Sequence, residues 1–200
     1  MDLFIEGQKL ALIFQKNMNM VEMTCTVEKV HDDRLDLSLP QYFMRYIEFL
    51  HVGNKLTAKA FSKFGTIDFN TIVLSSPLEE TFTVELDYNS VRLTSGDLFP
   101  AIKSIENLQI QKNNELIAFK TFELSVDFVK FYSDMRWRVN EEIDCVLKLP
   151  NDYGIIKFKG FIAEVDPIYD NEYTLKYIMM TEKDRQTLLY YMYKYSKDTD

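Results

Sequence analysis

Few residues in this 200-residue chain can do chemistry unaided. It has two cysteines, Cys25 and Cys145, and two histidines, His31 and His51. Those four do not assemble a four-ligand Cys/His zinc site, and the spacing of the acids suggests no carboxylate metal site. Both cysteines fall in alternating apolar stretches far apart in sequence. They read as buried, reduced thiols. His31 lies in a turn and His51 just before Gly53, neither beside a nucleophile elbow, so no nucleophilic triad is visible. Six glycines, none clustered, leave no phosphate-binding loop or dinucleotide fingerprint. The paired acids Glu79-Glu80 and Glu141-Glu142 sit near turns, and neighbours in a strand face opposite ways. The expectation is a protein that is not an enzyme and has no cofactor.

Long apolar runs are also missing, so no segment reaches membrane-spanning length. The opening "MDLFIEGQKL" lacks a basic stretch followed by an apolar one, so it does not read as a signal peptide. A cytoplasmic protein without membrane insertion is expected. Positive charge is in deficit: the net charge is -8 and the pI about 4.9. Such a chain repels nucleic acid at long range, and no nucleic-acid partner is expected.

What the chain has is apolar and aromatic side chains, 46% and 14% of residues, including twelve Tyr and fifteen Phe. That composition, with little Gly or Pro, favours β-structure. The dominant period is two. Val21, Met23, Cys25 and Val27 alternate with Glu22, Thr24, Thr26 and Glu28. "QKLALIF" (8–14) reads as a strand before it, with "NMNM" (17–20) as the turn. "HDDR" (31–34) is a turn, and Leu35, Leu37 and Leu39 alternate after it. "QYFMRYIEFL" (41–50) places Tyr42, Phe43, Tyr46, Ile47 and Leu50 on one helical face. Strands return at "KLTAKAF" (55–61) and "TIDFNTIVL" (66–74), and again from Phe82.

"SSPLEE" (75–80) is the boundary candidate, giving domains at 1–77 and 78–200. In the second half, "LIAFKTFELSV" (116–126) reads as one long strand. Ile143, Cys145, Leu147 and Leu149 alternate up to Pro150, and "NDYG" (151–154) signals a hairpin into "IIKFKGFIAEV" (155–165). "DPIYDNE" (166–172) is another turn, before the strand "YTLKYIMM" (173–180). Thr181 and Asp184 resemble a capping box opening a helix whose stripe is Leu188, Tyr191, Met192 and Tyr195, expected to dock on the second barrel. The fold class is mainly β: two tandem small antiparallel barrels, the second with a C-terminal α-helix. The only Trp stands in "DMRWRVNEE" (134–142) between Arg136 and Arg138. This is either a surface turn around one buried indole or a paired arginine grip on an anion.

The order of these signals resembles the flagellar-brake type of PilZ-domain protein. "EGQKLAL" (6–12), "VEKVHDDRLDLSLP" (27–40), "HVGNKLTAKA" (51–60) and "DFNTIVLSSP" (68–77) are similar to its N-terminal module. "FELSVDF" (122–128), "IDCVLKLP" (143–150), "FKGFIAEV" (158–165) and the terminal helix are similar to its PilZ barrel. The resemblance implies a cyclic di-GMP-linked regulator of motility or surface behaviour. Its partner would be a protein of the flagellar or pilus machinery; the oligomeric state is left open.

The family's ligand segments are Arg-x-x-x-Arg at the domain junction and Asp/Asn-x-Ser-x-x-Gly on the barrel. In "DYNSVRL" (87–93), Tyr88 stands at the first Arg and Arg92 at the second. In "ELSVDF" (123–128), Glu123 replaces the shorter acid, Ser125 is kept, and Phe128 stands at the Gly. Losing one Arg removes a bidentate contact of roughly 1.5–3 kcal/mol per hydrogen bond, an affinity loss of about a hundredfold or more. The departures imply weak or no cyclic di-GMP binding, with Arg92, Ser125 and Glu123 as the remaining contacts. One alternative is a working receptor in which Arg136 or Arg138 supplies the missing cation. Another is a barrel holding an unrelated small apolar ligand.

Overall fold

Rows of alternating apolar residues set down two sheets, each wound around its own core. The computed structural model describes residues 3–16, 18–62, 65–96, 99, 101–112, 115–169 and 171–197. The chain divides into two units, Met1–Leu98 and Phe99–Asp200.

The first unit holds β1 (Lys9–Lys16), β2 (Asn19–Val30), β3 (Arg34–Ser38), β4 (Lys55–Ser62), β5 (Gly65–Ile72), β6 (Phe82–Glu85) and β7 (Arg92–Ser95). They form one antiparallel sheet in the order β6-β3-β2-β1-β4-β5-β7. Met23, Cys25 and Val27 of β2, Leu35 and Leu37 of β3, and Leu56, Ala58 and Ala60 of β4 are all buried. These are the period-two rows that the sequence shows. Burial pushes the Cys25 thiol up to about 12. The sheet curls, and a single bridge between Val73 and Val84 joins the end of β5 to β6. The first unit is therefore a curled sheet rather than a fully closed barrel.

The segment "QYFMRYIEFL" is helical but forms a 3-10 helix, Phe43–Phe49. Its bonds span three residues, as in Leu50 N to the Ile47 carbonyl at 3.1 Å. Phe49 stacks on Phe14 of β1 with ring centroids 4.6 Å apart. Of the turn "NMNM", β2 already begins at Asn19, and Asn17 lies outside the described residues.

The structure moves the boundary expected at 77. β6 pairs with β3, Leu35 opposite Val84, and β7 pairs with β5, Asp68 opposite Arg92. "SSPLEE" is a loop that returns the chain to its own sheet. The Ser75 hydroxyl accepts from Thr83 N at 2.7 Å and donates to the Thr81 carbonyl at 2.8 Å. Thr83 in turn donates to Asp36 of β3 at 2.9 Å. Ser, Pro and acid residues suit a linker and a return loop equally, so composition alone placed the division too early.

The second unit holds β8 (Asn107–Lys112), β9 (Glu115–Leu124), β10 (Phe128–Tyr132), β11 (Glu142–Lys148), β12 (Ile155–Val165), β13 (Glu172–Met180) and α1 (Glu182–Lys197). The six strands close in the order β10-β13-β12-β11-β8-β9. The interior is filled by side chains, among them Leu108, Ile110, Leu124, Val129, Phe131 and Leu175, all fully buried. Thr181 caps α1: Asp184 N donates to its hydroxyl at 3.1 Å, and that hydroxyl meets the Asp184 carboxylate at 2.8 Å. Leu188, Tyr191 and Met192 join the barrel core, so the helical stripe docks as its spacing predicts.

Buried polar groups tie α1 down as well. The Tyr191 hydroxyl and the Ser104 hydroxyl both bond Glu106 Oε1, and Thr121 links the backbones of Ser104 and Glu106. All four residues are buried. A buried carboxylate needs such donors, because an unmet one costs the full desolvation penalty.

Candidate functional site

The stretch "FELSVDF" is not a single strand. β9 ends at Leu124 and β10 starts at Phe128, so Ser125 to Asp127 form the tip of a hairpin. Ser125 N donates to the Phe128 carbonyl at 2.8 Å, closing a two-residue loop of Val126 and Asp127. Tyr177 of β13 fastens the tip: its backbone N–H bonds the Asp127 carbonyl at 3.0 Å, and its hydroxyl bonds the Phe128 carbonyl at 3.1 Å. Burial drives the Tyr177 phenol far above its ordinary range.

The three barrel positions singled out by the sequence are thus brought together by one turn. Ser125 is buried, and its hydroxyl accepts from Asp127 N at 3.4 Å. Glu123 pairs across the ladder with Lys130, and their charged ends lie 3.3 Å apart. The Lys130 ammonium also sits 5.5 Å from the Phe128 ring centre. Phe128 is half-buried, and positive φ in the non-glycine residues is confined to Met18, Asn140 and Asn151 among those described. The backbone at Phe128 therefore asks for no glycine.

Arg92 stands at the start of β7 in the first unit, exposed. Its guanidinium donates to the Val91 carbonyl at 2.9 Å and the Asn89 carbonyl at 3.4 Å. Tyr88 lies in a 3-10 turn, Tyr88–Ser90, whose Asp87 side chain accepts from Asn89 N at 3.0 Å. Arg136 and Arg138 are exposed on an irregular segment between β10 and β11, not on a strand face. Trp137 between them is buried, and its indole N–H donates to the Ser133 hydroxyl at 3.0 Å. The Lys112 ammonium lies 3.9 Å from the indole centre and 3.4 Å from Glu141. That segment is exposed and wraps one buried indole.

Sequence reasoning passed over Lys130 and Lys112. Their roles depend on which strand lies opposite, and alternation along one strand does not encode that. An open cleft of about 790 Å³ in the first unit is lined by Phe14, Phe49 and Leu56, but also by Asn54, Glu85 and Asp87. A second, of about 500 Å³ on the barrel, mixes Leu116 and Met179 with Asp144, Lys157 and Lys159. Both are open to solvent, and charged or amide side chains stand among the apolar ones. Among the described residues no three or more His, Cys, Asp or Glu side chains converge to hold a metal ion. No described helix is long and apolar enough to cross a membrane.

Fold and site define a mainly β protein of two units, with a closed six-stranded barrel carrying a C-terminal helix. No protein-family model matches the chain, and no curated protein matches it. Solved structures do. The inhibitor of motility MotI/DgrA from Bacillus subtilis is 14% identical, with 98% of this chain and 99% of that chain covered, at a TM-score of 0.46. YcgR from Escherichia coli, in complex with cyclic di-GMP, is 11% identical over 96% of this chain and 85% of that chain, at a TM-score of 0.45. MrkH of K. pneumonia, also in complex with cyclic di-GMP, is 12% identical over 96% and 89%, at a TM-score of 0.43.

Proposed function

We propose that the chain is a non-enzymatic PilZ-type regulator that acts through contacts with another protein, in control of motility or surface behaviour. In this reading it binds cyclic di-GMP weakly or not at all. The observation that carries the reading is the β9–β10 hairpin. The groups at the family's ligand segment serve the hairpin itself: Glu123 pairs with Lys130, Ser125 shapes the turn, and Phe128 occupies the glycine position. Recruiting Glu123 to a guanine edge would break its pair. Arg92 would meet a phosphate without the second arginine of the family segment, because Tyr88 stands there.

Calorimetric titration of the full chain with cyclic di-GMP tests this. The expected result is no saturable binding at micromolar ligand, unchanged by Arg92→Ala. Sub-micromolar binding lost in Arg92→Ala overturns the degenerate-site reading. Loss of such binding in Arg136→Ala or Arg138→Ala instead selects the receptor with altered contacts.

A further inference from the structure

The turn between β12 and β13 presents apolar side chains where a turn usually presents polar ones. Ile168 is 81% exposed and Tyr169 60%. Beside them Tyr132, at the end of β10, is 47% exposed and lies against Phe122 with ring centroids 4.5 Å apart. Tyr132 stands opposite Glu172 in the ladder. A hydrogen bond to the Glu172 carboxylate, then burial and the nearby charges of Glu172 and Tyr169, raise the Tyr132 phenol above its ordinary range. Tyr132 and the turn are therefore neighbours.

Hydrogen bonds hold the described residues of the turn. Asp166 Oδ1 accepts from Ile168 N at 2.8 Å and from Tyr169 N at 2.9 Å. Those two bonds keep the Asp166 carboxyl below its ordinary range and charged. Asp166 N bonds the Glu172 carbonyl, and Glu172 N bonds the Tyr169 carbonyl, both at 2.9 Å. Ser133 N bonds the Asn171 carbonyl at 2.9 Å, fixing the turn to the chain after β10. An exposed aliphatic–aromatic pair whose backbone is already hydrogen-bonded loses less freedom when it is covered. Single exposed apolar residues are ordinary, but a cluster of an aliphatic and two tyrosines is the composition of interface anchors.

The rim decides what covers it. Asp166 and Glu172 stand in the turn itself, beside the cluster, while Glu123 and Lys130 pair with each other. Lys130 is close enough to add to the lowering at Asp166. The local balance is acidic, as is the whole chain at -8. An anionic membrane surface is repelled by such a rim, and a second copy would bring the same acids to it. We propose that Ile168, Tyr169 and Tyr132 form a docking knob that enters an apolar pocket of a different folded protein, one whose rim is cationic. This rests on the reading that the chain acts through a protein partner.

The test uses the full chain in its native cells with a photo-crosslinking amino acid at Tyr169, and for comparison at Met179 on the barrel flank and Leu78 in the first unit. The expected result is a crosslink at Tyr169 to one protein. Once purified, that protein binds the wild-type chain, and Ile168→Ser or Tyr169→Ser weakens binding by about tenfold or more. Added salt slows association, as steering by an acidic rim requires. Circular-dichroism melts confirm that the variants fold. A crosslink at Tyr169 only to lipid, only to a second copy, or to nothing overturns the knob. So does a partner whose affinity is indifferent to Ile168→Ser. Crosslinks to protein at Met179 or Leu78 alone overturn the knob and leave the protein-contact reading standing. Silence at all three positions removes both.

Discussion

The Tyr191 hydroxyl donates a 2.6 Å hydrogen bond to the buried Glu106 carboxylate, joining α1 to the approach to β8. Tyr191→Phe leaves that carboxylate with one hydroxyl donor fewer. The second unit should lose about 1–3 kcal/mol, read by urea unfolding. Burial, followed by the bond to Glu106, raises the Tyr191 phenol above its ordinary range. A raised folded value means the contribution is complete below about pH 10, the unfolded value, and is lost as pH climbs through the folded one. The stability gap between wild type and Tyr191→Phe should therefore narrow in alkali. A gap independent of pH would show that the hydroxyl contributes only shape.

Cys25 and Cys145 each report on a different unit. Both are buried, and burial raises both thiols, Cys25 to about 12. Thiolate is scarce at about pH 8, and access is closed as well. In the native protein neither should react with iodoacetamide. Across a denaturant series, mass spectrometry of the labelled peptides should show each cysteine reacting when its own unit opens. Rapid native labelling of either would contradict its burial.

The division after Leu98 makes a prediction about fragments. A fragment ending at residue 77 lacks β6 and β7, so β3 and β5 lose partners. It should not show a cooperative melt, whereas residues 1–98 should. At Gly65 a Cβ would run into the Thr94 carbonyl oxygen of β7, and φ is +147°. Gly65→Ala should cost roughly 1–3 kcal/mol and speed amide exchange in β7. Cooperative melting of the shorter fragment would restore the earlier boundary.

Much of the fold could be read along the chain, because an inward-facing row is a local pattern. Met23, Cys25 and Val27 and, later, Ile143, Cys145 and Leu147 announce their strands and their buried faces. Pairing is not local. β6 is met by β3, on the far side of three other elements, and the four residues of β7 are too few to show a period. The hairpin tip escaped for a different reason. Leu124, Val126 and Phe128 continue the alternation straight through a two-residue loop, so the turn leaves no break in parity. At the candidate site, Glu123 and Ser125 could be picked out by position, whereas Lys130 became visible only once Glu123 stood opposite it. The chemistry at Ile168 and Tyr169 was hidden by a correct reading: "DPIYDNE" is a turn, and its exposure is what gives those side chains their importance.

Trp137 is the chain's only tryptophan, and it is buried in the second unit with an ammonium over its face. Indole fluorescence therefore follows that unit alone. A charge held 3.9 Å from the ring shifts the emission maximum, and the shift persists only while Lys112 stays in place. An emission trace that moves is then a direct optical sign that the barrel has opened around its indole.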